Sequence, residues 1–585
     1  MTSNRSASAS DSIIQPSGCA AMWSQEEFRF LLLTHKDTDI LTLTESRRML
    51  PLDFPLIEGF DLQGIKAEAD MVALLDQKAP AAANVVILVR LLGRGVPGFQ
   101  HLIDYARRHH QDLIVVSGIP GSFEPDLTAM STVSAETIHE VITYFDADGC
   151  ARNMANLLRF LADHLLRHGF GYDAPSVQPN HGLYHPRFAI NRAVTTASHL
   201  QRSHATAKPT VAVLFYRCHF LSGNTAFVDA LLDELEALGV NAIGLFTESL
   251  REHEPHGSIN GQAVARFPTA LTHLLDEETG QCQVDVLIST MAFAMGEVNP
   301  DGPTLGSWST DAVQALNVPV LQAITSVEAR ASWEDAARGL NPLDTAMNVA
   351  IPEFDGRIIT VPISFKAPHD ESNAHYYEPL PDRVTAVAKQ AARLGRLRHK
   401  PNRDKRIAFM LTNSSGKAQR IGDAVGLDSP ASLMRVFQAL QAADYQLGED
   451  LPPDGDTLVQ NLIDRCSYDE IYLTEHQLAN AAAHVPASVY EQMFQTLPAK
   501  QKAHMEGQWG RAPGEAYVHQ NAIALAGLEF GNVFVGLQPP RGYGMDPDKI
   551  YHTPDLPPPH NYYAVYRWLR DEWQAGKVLC CSVFL

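Results

Sequence analysis

Short hydrophobic runs alternate with helical patterns along the first part of the chain. The runs FRFLLLT (28–34), NVVILVRLLG (84–93) and DLIVVSG (112–118) are rich in aliphatic residues and each end in a polar residue or glycine. Between the last two, FQHLIDYARRHH places its apolar residues at helical spacing. Strands that alternate with amphipathic helices predict parallel pairing and a sheet covered on both faces. Two further helical stretches, ETIHEVITYF and ARNMANLLRFLADHLLRHG, are expected to close this domain near residue 171.

The same alternation returns twice further along. One series runs through TVAVLFYRCHF, NTAFVDALLDELEALG, VNAIGLFT, VDVLIST, DAVQALN and VPVLQAI. Asn224 is the predicted N-cap of its first helix, and Gly239 is the predicted C-cap. Another series follows a basic helical stretch and contains IAFMLTN, ASLMRVFQALQAADY, a helical part near 455–508 and NVFVGLQ.

These patterns predict an α/β fold class: a multidomain chain with several open, mostly parallel sheets flanked by helices. The predicted divisions are a disordered tail (1–25), an N-terminal α/β domain (26–171), a Pro-, His- and Gly-rich linker (172–208), a second α/β domain with a YRCH loop (209–370) and a third α/β domain that is truncated at its C-terminal end (371–585).

Composition narrows the class of protein. The 585 residues carry a net charge of -21, which argues against a nucleic-acid or anionic-membrane surface because either would need a clustered basic face. Seven scattered cysteines include no CxxC pair, and no secretory signal or apolar run of membrane-spanning length is visible. The sequence therefore predicts a cytoplasmic protein with no membrane span.

A glycine motif, Gly93-x-Gly95-x-x-Gly98, follows one predicted strand and precedes a helix, which is where a dinucleotide fingerprint lies. However, Pro97 stands where an amide should face phosphate, and the next strand ends at Gly118 with no acid for a ribose hydroxyl. A tight strand-to-helix turn is the favoured interpretation, and nucleotide binding is the alternative. The sequence contains no P-loop, so the chain itself is not expected to hydrolyse ATP.

Histidines and arginines supply the candidate chemistry. Arg217 and His219 lie just past a strand, where open α/β sheets bind ligands, so Arg217 could hold a carboxylate and His219 could accept a proton or a metal ion. The alternative is that Arg217 pairs with an acid of a neighbouring domain and His219 is an interface histidine. HGLYHP (181–186) and HEPH (253–256) contain Gly or Pro, so we expect loops there rather than helical metal pairs.

Near the end of the chain, cationic and aromatic residues share one proline-stiffened loop. Such a loop suits a flat, acidic ligand, with the arginine facing carboxylates and the rings facing the plane of the ligand; packing at a domain interface is the alternative. The residues are Arg541, Tyr543, Tyr551, His552, His560, Tyr562 and Tyr563.

Several long motifs, in order, resemble one family over nearly the whole chain. They include TVAVLFYRCHFLSGNTAFVDALLDELEALGVNAIGLF, ARGLNPLDTAMNVAIPEFDGRIITVPISFKA and VFVGLQPPRGYGMDPDKIYHTPDLPPPHNYYAVYRWLRDEW. The chain is similar to the large (CobN-type) subunit of aerobic cobaltochelatase, in the family that also contains the large subunit of magnesium chelatase.

The resemblance implies a role in cobalamin biosynthesis. It implies binding of a tetrapyrrole, hydrogenobyrinic acid a,c-diamide, and insertion of Co²⁺ as a substrate. ATP and Mg²⁺ would act through two smaller partner subunits of AAA+ type rather than on this chain. The choice of cobalt over magnesium rests on the closer resemblance to the cobalt enzymes.

The resemblance also suggests roles for particular residues. Arg217 and Arg541 would hold ring carboxylates, His219 and Glu353 would accept protons or bind the metal transiently, and His560 would line the entrance. Tyr551 would contact the ring of the substrate.

The last residues, AGKVLCCSVFL, depart from the family pattern, in which a strand and an HGxxEW-like motif follow. We therefore expect a truncated or frameshifted chain with exposed apolar faces and a tendency to aggregate. The alternative to a chelatase subunit is a catalytically inactive relative that binds a tetrapyrrole or a partner.

Overall fold

The structure is a computed structural model, and it describes residues 28–581 except 94, 120–123, 148–149, 188–207, 300–306, 369–373, 414–416, 425, 545–549, 551–552 and 554. The chain divides into two compact units, Met1–Gly395 and Arg396–Leu585, and each is described by itself.

The first sheet of the first unit is four-stranded and fully parallel. Its strands are β1 (Phe28–Thr34), β2 (Leu56–Asp61), β3 (Asn84–Leu91) and β4 (Asp112–Ser117), in the order β2-β1-β3-β4. Aliphatic clusters lie on both faces, as the apolar runs predicted. The surrounding helices are Asp37–Arg47, Glu68–Lys78, Phe99–Arg108, Pro125–Thr128, Ala135–Asp146 and Ala151–Leu165.

The glycine motif after β3 forms a tight turn into the helix Phe99–Arg108. Gly98 occupies the left-handed region at φ 73°, and a Cβ there would lie only 2.7 Å from the Cβ of Met71. Gly93 also has a positive φ, 77°, but a Cβ there would meet nothing within 4 Å. Close packing of the turn on a neighbouring helix therefore accounts for Gly98 without a bound phosphate.

This difference gives a matched pair of substitutions. We expect Gly98→Ala to lower the free energy of unfolding by about 2–3 kcal/mol, because it adds a clash to an unfavourable φ. Gly93→Ala should cost only about 1 kcal/mol, since it carries the backbone strain alone. Urea denaturation of both variants measures the gap, and equal losses would show that packing on Met71 is not what requires glycine.

The second large sheet of the first unit has seven strands. Its strands are β5 (His181–Tyr184), β6 (Thr210–Tyr216), β7 (Asn241–Thr247), β8 (Val286–Ser289), β9 (Val320–Ala329), β10 (Ile358–Pro368) and β11 (His375–Pro379), in the order β11-β10-β9-β8-β6-β7-β5. The five inner strands are parallel, and β5 and β11 run antiparallel at the two edges.

Helices and short strand pairs surround this sheet. The helices are Arg217–Ser222, Ala226–Ala237, Asp311–Ala315, Arg330–Asp335, Pro342–Thr345, Ile351–Glu353 and Pro381–His399, with a π-helical turn at Ala346–Ala350. The short antiparallel pairs are His253–Pro255 with Arg266–Pro268, Ser258–Ile259 with Gln262–Ala263, and Glu297–Asn299 with Ser307–Ser309.

Four local predictions in this part of the first unit were wrong. The residues after β6 form the helix Arg217–Ser222 rather than a loop. The next helix is capped by Thr225, because the Asn224 side chain instead accepts a hydrogen bond from the Tyr377 backbone N–H at 3.0 Å. The first three residues of HEPH form a strand that pairs with Arg266–Pro268. HGLY, in the Pro- and His-rich segment, forms strand β5, because pairing with β7 satisfies the backbone hydrogen bonds of β5 and β7.

The second unit is again α/β. The strands of its two larger sheets are β12 (Ile407–Leu411), β13 (Ala483–Pro486), β14 (Val518–His519), β15 (Ala522–Leu525), β16 (Gly527–Phe530), β17 (Val533–Leu537) and β18 (Lys577–Cys581). A short antiparallel pair joins Asp423–Ala424 to Leu427–Asp428. One sheet has the order β16-β17-β12-β18, with β17, β12 and β18 parallel, and the other has the order β13-β15-β14. The helices are Ser429–Ala442, Gly455–Arg465, Glu475–Ala479, Ala487–Gln495, Ala499–Trp509 and His560–Asp571.

The predicted fold class is confirmed: each unit contains at least one mostly parallel sheet flanked by helices. The run VLCC is the last described strand and pairs with β12. Within the described residues, no helix combines the length and the apolar character needed to cross a membrane.

Candidate functional site

The carboxyl end of β6 is the switch point of the seven-stranded sheet, because β7 lies on one side of β6 and β8 on the other. Ligands of open α/β sheets bind at such points. Tyr216 ends β6, and its hydroxyl donates to the Ala292 carbonyl at 2.9 Å, which links the ends of β6 and β8. Arg217 and His219 follow in the helix Arg217–Ser222.

Arg217 is buried and contacts the segment that precedes β5. Its Nε donates to the Pro179 carbonyl and its Nη2 to the Gln178 carbonyl, both at 2.7 Å. Neither of these partners is an acid. The guanidinium therefore holds backbone of the first unit against the sheet, so its role as a holder of ring carboxylates is not supported by these contacts.

His219 lies edge-on between two aromatic rings. The ring centroids of Phe227 and Tyr377 are 5.2 and 5.4 Å from that of His219. The imidazole is 8% exposed, and its Nδ1 has no hydrogen-bond partner among the described residues. Leaving a buried polar atom without a partner costs free energy, so this nitrogen is a candidate for binding a ligand.

Charged groups lie close to this imidazole. Burial lowers the pKa of His219 to about 4; the Asp37 carboxylate opposes this shift and the Lys366 ammonium adds to it. Lys366 Nζ contacts Asp37 Oδ2 at 2.5 Å and lies 6.0 Å from the Tyr377 ring centroid. Burial, together with the Asp37 carboxylate, also raises the pKa of the Tyr377 hydroxyl. We call His219, Asp37, Lys366 and Tyr377 the His219 cluster.

The chemistry of the His219 cluster follows from these protonation states. At neutral pH the imidazole is uncharged and so has one nitrogen lone pair, which can accept a proton or bind a divalent cation. Lys366 and Asp37 supply one positive and one negative charge beside it. Only the Asp37 carboxylate favours a proton on the imidazole, whereas burial and the Lys366 ammonium oppose it.

Arg357 forms a second, fully buried network at the same sheet. It donates to the backbone carbonyls of Met291 and Phe293, at 3.0 and 2.8 Å, and to the Gln322 side chain at 2.7 Å. It also pairs with Asp355 at 2.7 Å, and that side-chain pair is 1% and 0% exposed. This network joins the loop after β8 to the start of β10, and sequence reasoning missed it.

Asp344 and Asn348 form a polar network at the end of β9. Asp344 accepts hydrogen bonds from Ser326 Oγ and Asn341 Nδ2, both at 2.7 Å, and from Asn348 Nδ2 at 3.2 Å. Asn348 Oδ1 is buried without a partner in the described residues. Pro352 lacks an N–H for the helical bond to Asn348, and the π-helical turn lies just before it. The motif NPLDTAMN could have indicated this network.

Glu353 ends the short helix Ile351–Glu353 and is exposed. Phe354, beside it, is 73% exposed. The carboxylate is therefore available to a ligand or partner, and its predicted role as a proton acceptor stays a prediction.

In the second unit, Arg541 follows β17 and is exposed with no ion-pair or hydrogen-bond partner among the described residues. The Tyr543 ring contacts that of Trp509 in a tilted arrangement, with 4.8 Å between ring centroids, and Trp509 donates from Nε1 to the Pro557 carbonyl at 2.7 Å. Arg541 and Tyr543 belong to the predicted ligand loop, and the role of this loop in binding stays a prediction.

His560 is enclosed in the same unit. It is 2% exposed, its Nε2 donates to the Gly510 carbonyl at 2.9 Å, and its Nδ1 accepts from the Tyr490 hydroxyl at 2.8 Å. Burial lowers its pKa, against the effect of the Gly510 hydrogen bond. Both ring nitrogens are occupied, so His560 is placed to hold these elements together rather than to line an entrance.

A polar residue that sequence reasoning missed lies at the switch point of the second unit's sheet. Asn413 follows β12, is fully buried and donates to the Ser467 carbonyl at 2.9 Å, while its Oδ1 has no partner among the described residues. Gln538, after the neighbouring β17, donates to the Tyr562 hydroxyl at 3.1 Å. The position of Asn413 directly after the run IAFMLT was the available signal.

The predicted site residues are thus divided between the two units. Arg217, His219 and Glu353 belong to the first, and Arg541 and His560 to the second. Tyr551 and His552 lie outside the described residues. In the part of the chain that the structure describes, no three or more His, Cys, Asp or Glu side chains are arranged to hold a metal ion.

Comparisons with known proteins agree on one family. The chain is 32% identical to the aerobic cobaltochelatase subunit CobN of Pseudomonas aeruginosa over 96% of its length. It is 28% identical to the H subunit of the magnesium chelatase of Rhodobacter capsulatus over 88%. These matches cover 43% and 42% of the two relatives.

A solved structure, the catalytic subunit of cobaltochelatase from Mycobacterium tuberculosis, matches 94% of this chain with a TM-score of 0.71 and 32% identity, and 42% of that protein is covered. The chain therefore spans less than half the length of the relatives it matches. A model of the CobN/Magnesium Chelatase family matches residues 142–580. From the family match and these relatives we conclude that the chain belongs to the CobN/magnesium chelatase family.

Proposed function

We propose that this chain is part of the large subunit of a cobaltochelatase, which binds hydrogenobyrinic acid a,c-diamide and inserts Co²⁺ into it during cobalamin biosynthesis. The observation that carries the proposal is the similarity to the Pseudomonas CobN protein over 96% of the chain. The lower identity of 28% to the magnesium enzyme favours cobalt. Two smaller ATPase subunits would supply ATP hydrolysis, in keeping with the lack of a P-loop in this sequence.

The chemistry of insertion assigns roles to the described side chains. Co²⁺ must lose bound water, and the ring must release two N–H protons. His219, held uncharged by burial, accepts one of these protons in our proposal, and the Asp37 carboxylate stabilises the imidazolium that forms. Glu353, which is exposed, is the proposed second acceptor. Neither step requires nucleotide chemistry on this chain.

Recognition of the ring's carboxylates is assigned to Arg541. Arg541 is exposed and lies two positions before Tyr543 in the chain, so its guanidinium can form paired hydrogen bonds to a carboxylate. Arg217 and His560 receive positioning roles instead, because their donors already bind backbone carbonyls.

Titration of the purified chain with hydrogenobyrinic acid a,c-diamide, followed by tryptophan fluorescence, tests the proposal. Trp509 lies beside the Arg541 loop, and its emission should be quenched by a conjugated ring bound there. We expect Arg541→Gln to weaken binding about tenfold, because it removes a charge-assisted hydrogen bond.

The control is Arg465→Gln, which removes the same charge from an exposed helix end. It should leave the affinity unchanged. Saturable quenching that Arg541→Gln and Arg465→Gln affect equally would contradict the assigned role. Failure of the ring to bind at all would contradict the proposal that this chain recognises the ring.

A further inference from the structure

Two histidines far apart in sequence meet at one edge of the seven-stranded sheet. His181 lies on the edge strand β5, and His273 lies on the 3₁₀ helix Thr269–Leu274. His181 Nδ1 and His273 Nε2 face each other at 2.9 Å, and the ring centroids are 5.0 Å apart. Both residues therefore lie in regular secondary structure.

Two neutral imidazoles that face each other form a hydrogen bond by sharing one proton. If that proton moves to an outer ring nitrogen, both facing nitrogens present lone pairs to the same point. Two nitrogens bound to one tetrahedral ion lie roughly 3.3 Å apart, given metal–nitrogen bonds of about 2.0–2.1 Å. The observed pair needs to open by only ~0.4 Å to admit such an ion.

The surroundings of the pair favour a cation. His273 lines a cavity of about 530 Å³ next to the sheet. The residues lining this cavity include no lysine or arginine, but they include four carboxylates: Glu254, Asp276, Glu277 and Glu278. Both oxygens of Asp276 already accept hydrogen bonds, from Thr279 and Gln283, so Asp276 acts on the cavity through its charge.

We propose that His181 and His273 bind a divalent transition-metal ion, with water molecules from the cavity completing its coordination. Imidazole nitrogens select borderline ions such as Co²⁺, Ni²⁺, Cu²⁺ and Zn²⁺ over Mg²⁺, which prefers oxygen ligands. Among the described residues the site has these two protein ligands and no third, and so it releases its ion readily. Metal binding at this pair does not depend on the proposed function. A role for the pair in holding Co²⁺ before its insertion does rest on that function.

Calorimetric titration of the chain, free of any affinity tag and of tetrapyrrole, with Co²⁺ tests this site. We expect one site of moderate affinity per chain, and a loss in affinity of roughly tenfold or more in His273→Gln, since one of only two protein ligands is removed. His181→Gln on the edge strand should have the same effect, which keeps the test valid if one variant fails to fold. Circular dichroism of each variant checks the fold.

His139→Gln is the control, because it removes an exposed histidine from the helix Ala135–Asp146. It should leave Co²⁺ binding unchanged. Excess Mg²⁺ should not displace Co²⁺ from an imidazole pair, whereas it would compete at the carboxylates alone. Affinity that both histidine variants retain, or that Mg²⁺ abolishes, would overturn the proposal. Because no tetrapyrrole is present, that outcome is distinguishable from failure of the ring titration.

Discussion

Arg357→Met should severely destabilise the first unit, lowering its free energy of unfolding by about 3–5 kcal/mol. The variant leaves the fully buried Asp355 carboxylate without its ion pair. It also removes the donors that the Met291 and Phe293 carbonyls use. Urea denaturation followed by circular dichroism measures the loss.

Two companion variants test the reason for this loss. Arg330→Met removes the same charge from a pair with Glu334 that is 49% and 48% exposed, so it should change the stability far less, because solvent screens an exposed pair. Adding Asp355→Asn to Arg357→Met should restore part of the stability, because no unpaired charge then remains buried. A cost for Arg357→Met as small as that for Arg330→Met would mean that the buried pair does not stabilise the loop after β8.

The His219 cluster predicts a second large effect, on the pH dependence of stability. The pKa of His219 is about 4 in the folded chain and about 6.5 when unfolded, so the unfolded state binds more protons over this range. Stability therefore falls as the pH drops below about 6.5, and the loss stops growing near pH 4. Relative to neutral pH, protonation of His219 lowers the free energy of unfolding by about 2 kcal/mol at pH 5 and by about 3 kcal/mol at pH 4.

The measurement compares the wild-type chain with His219→Gln at several pH values. A loss of packing in His219→Gln lowers its free energy of unfolding by the same amount at every pH. Only a change with pH in the difference between the two proteins therefore reports the titration of His219. We expect the stability advantage of the wild-type chain to shrink by about 2 kcal/mol between pH 7 and pH 5. Parallel curves would show that the imidazole is not held uncharged, and the proposed proton acceptor would be lost with it. His139→Gln controls for removal of a histidine.

The sequence predicted the strands that lie in the middle of the sheets. Inner parallel strands such as β1, β6 and β12 are covered on both faces and so appear as unbroken apolar runs. Edge strands carry a weaker pattern. HGLY is only four residues long and contains glycine, and its assignment depends on pairing with β7, more than 50 positions further on in the chain.

The candidate site was predictable by position but not by environment. His219 was found because it follows a strand at a switch point. Its burial depends on Tyr377, which lies 5.4 Å away on β11 and has no local signal. Likewise, nothing near His560 in the sequence shows that Tyr490 and Gly510 occupy both of its nitrogens. The sequence pattern shows which side chains could bind a ligand, whereas long-range contacts decide whether each of them is free to do so.

The two edges of the seven-stranded sheet also affect how the chain associates with itself. A long, flat edge strand offers a template for another chain to extend the sheet. In this sheet β5 offers only four residues, and β11 offers five and ends at Pro379, which has no N–H to donate. Pairing of this sheet between two molecules is therefore limited to a few hydrogen bonds, so the largest of the described sheets is poorly suited to seed fibrillar growth.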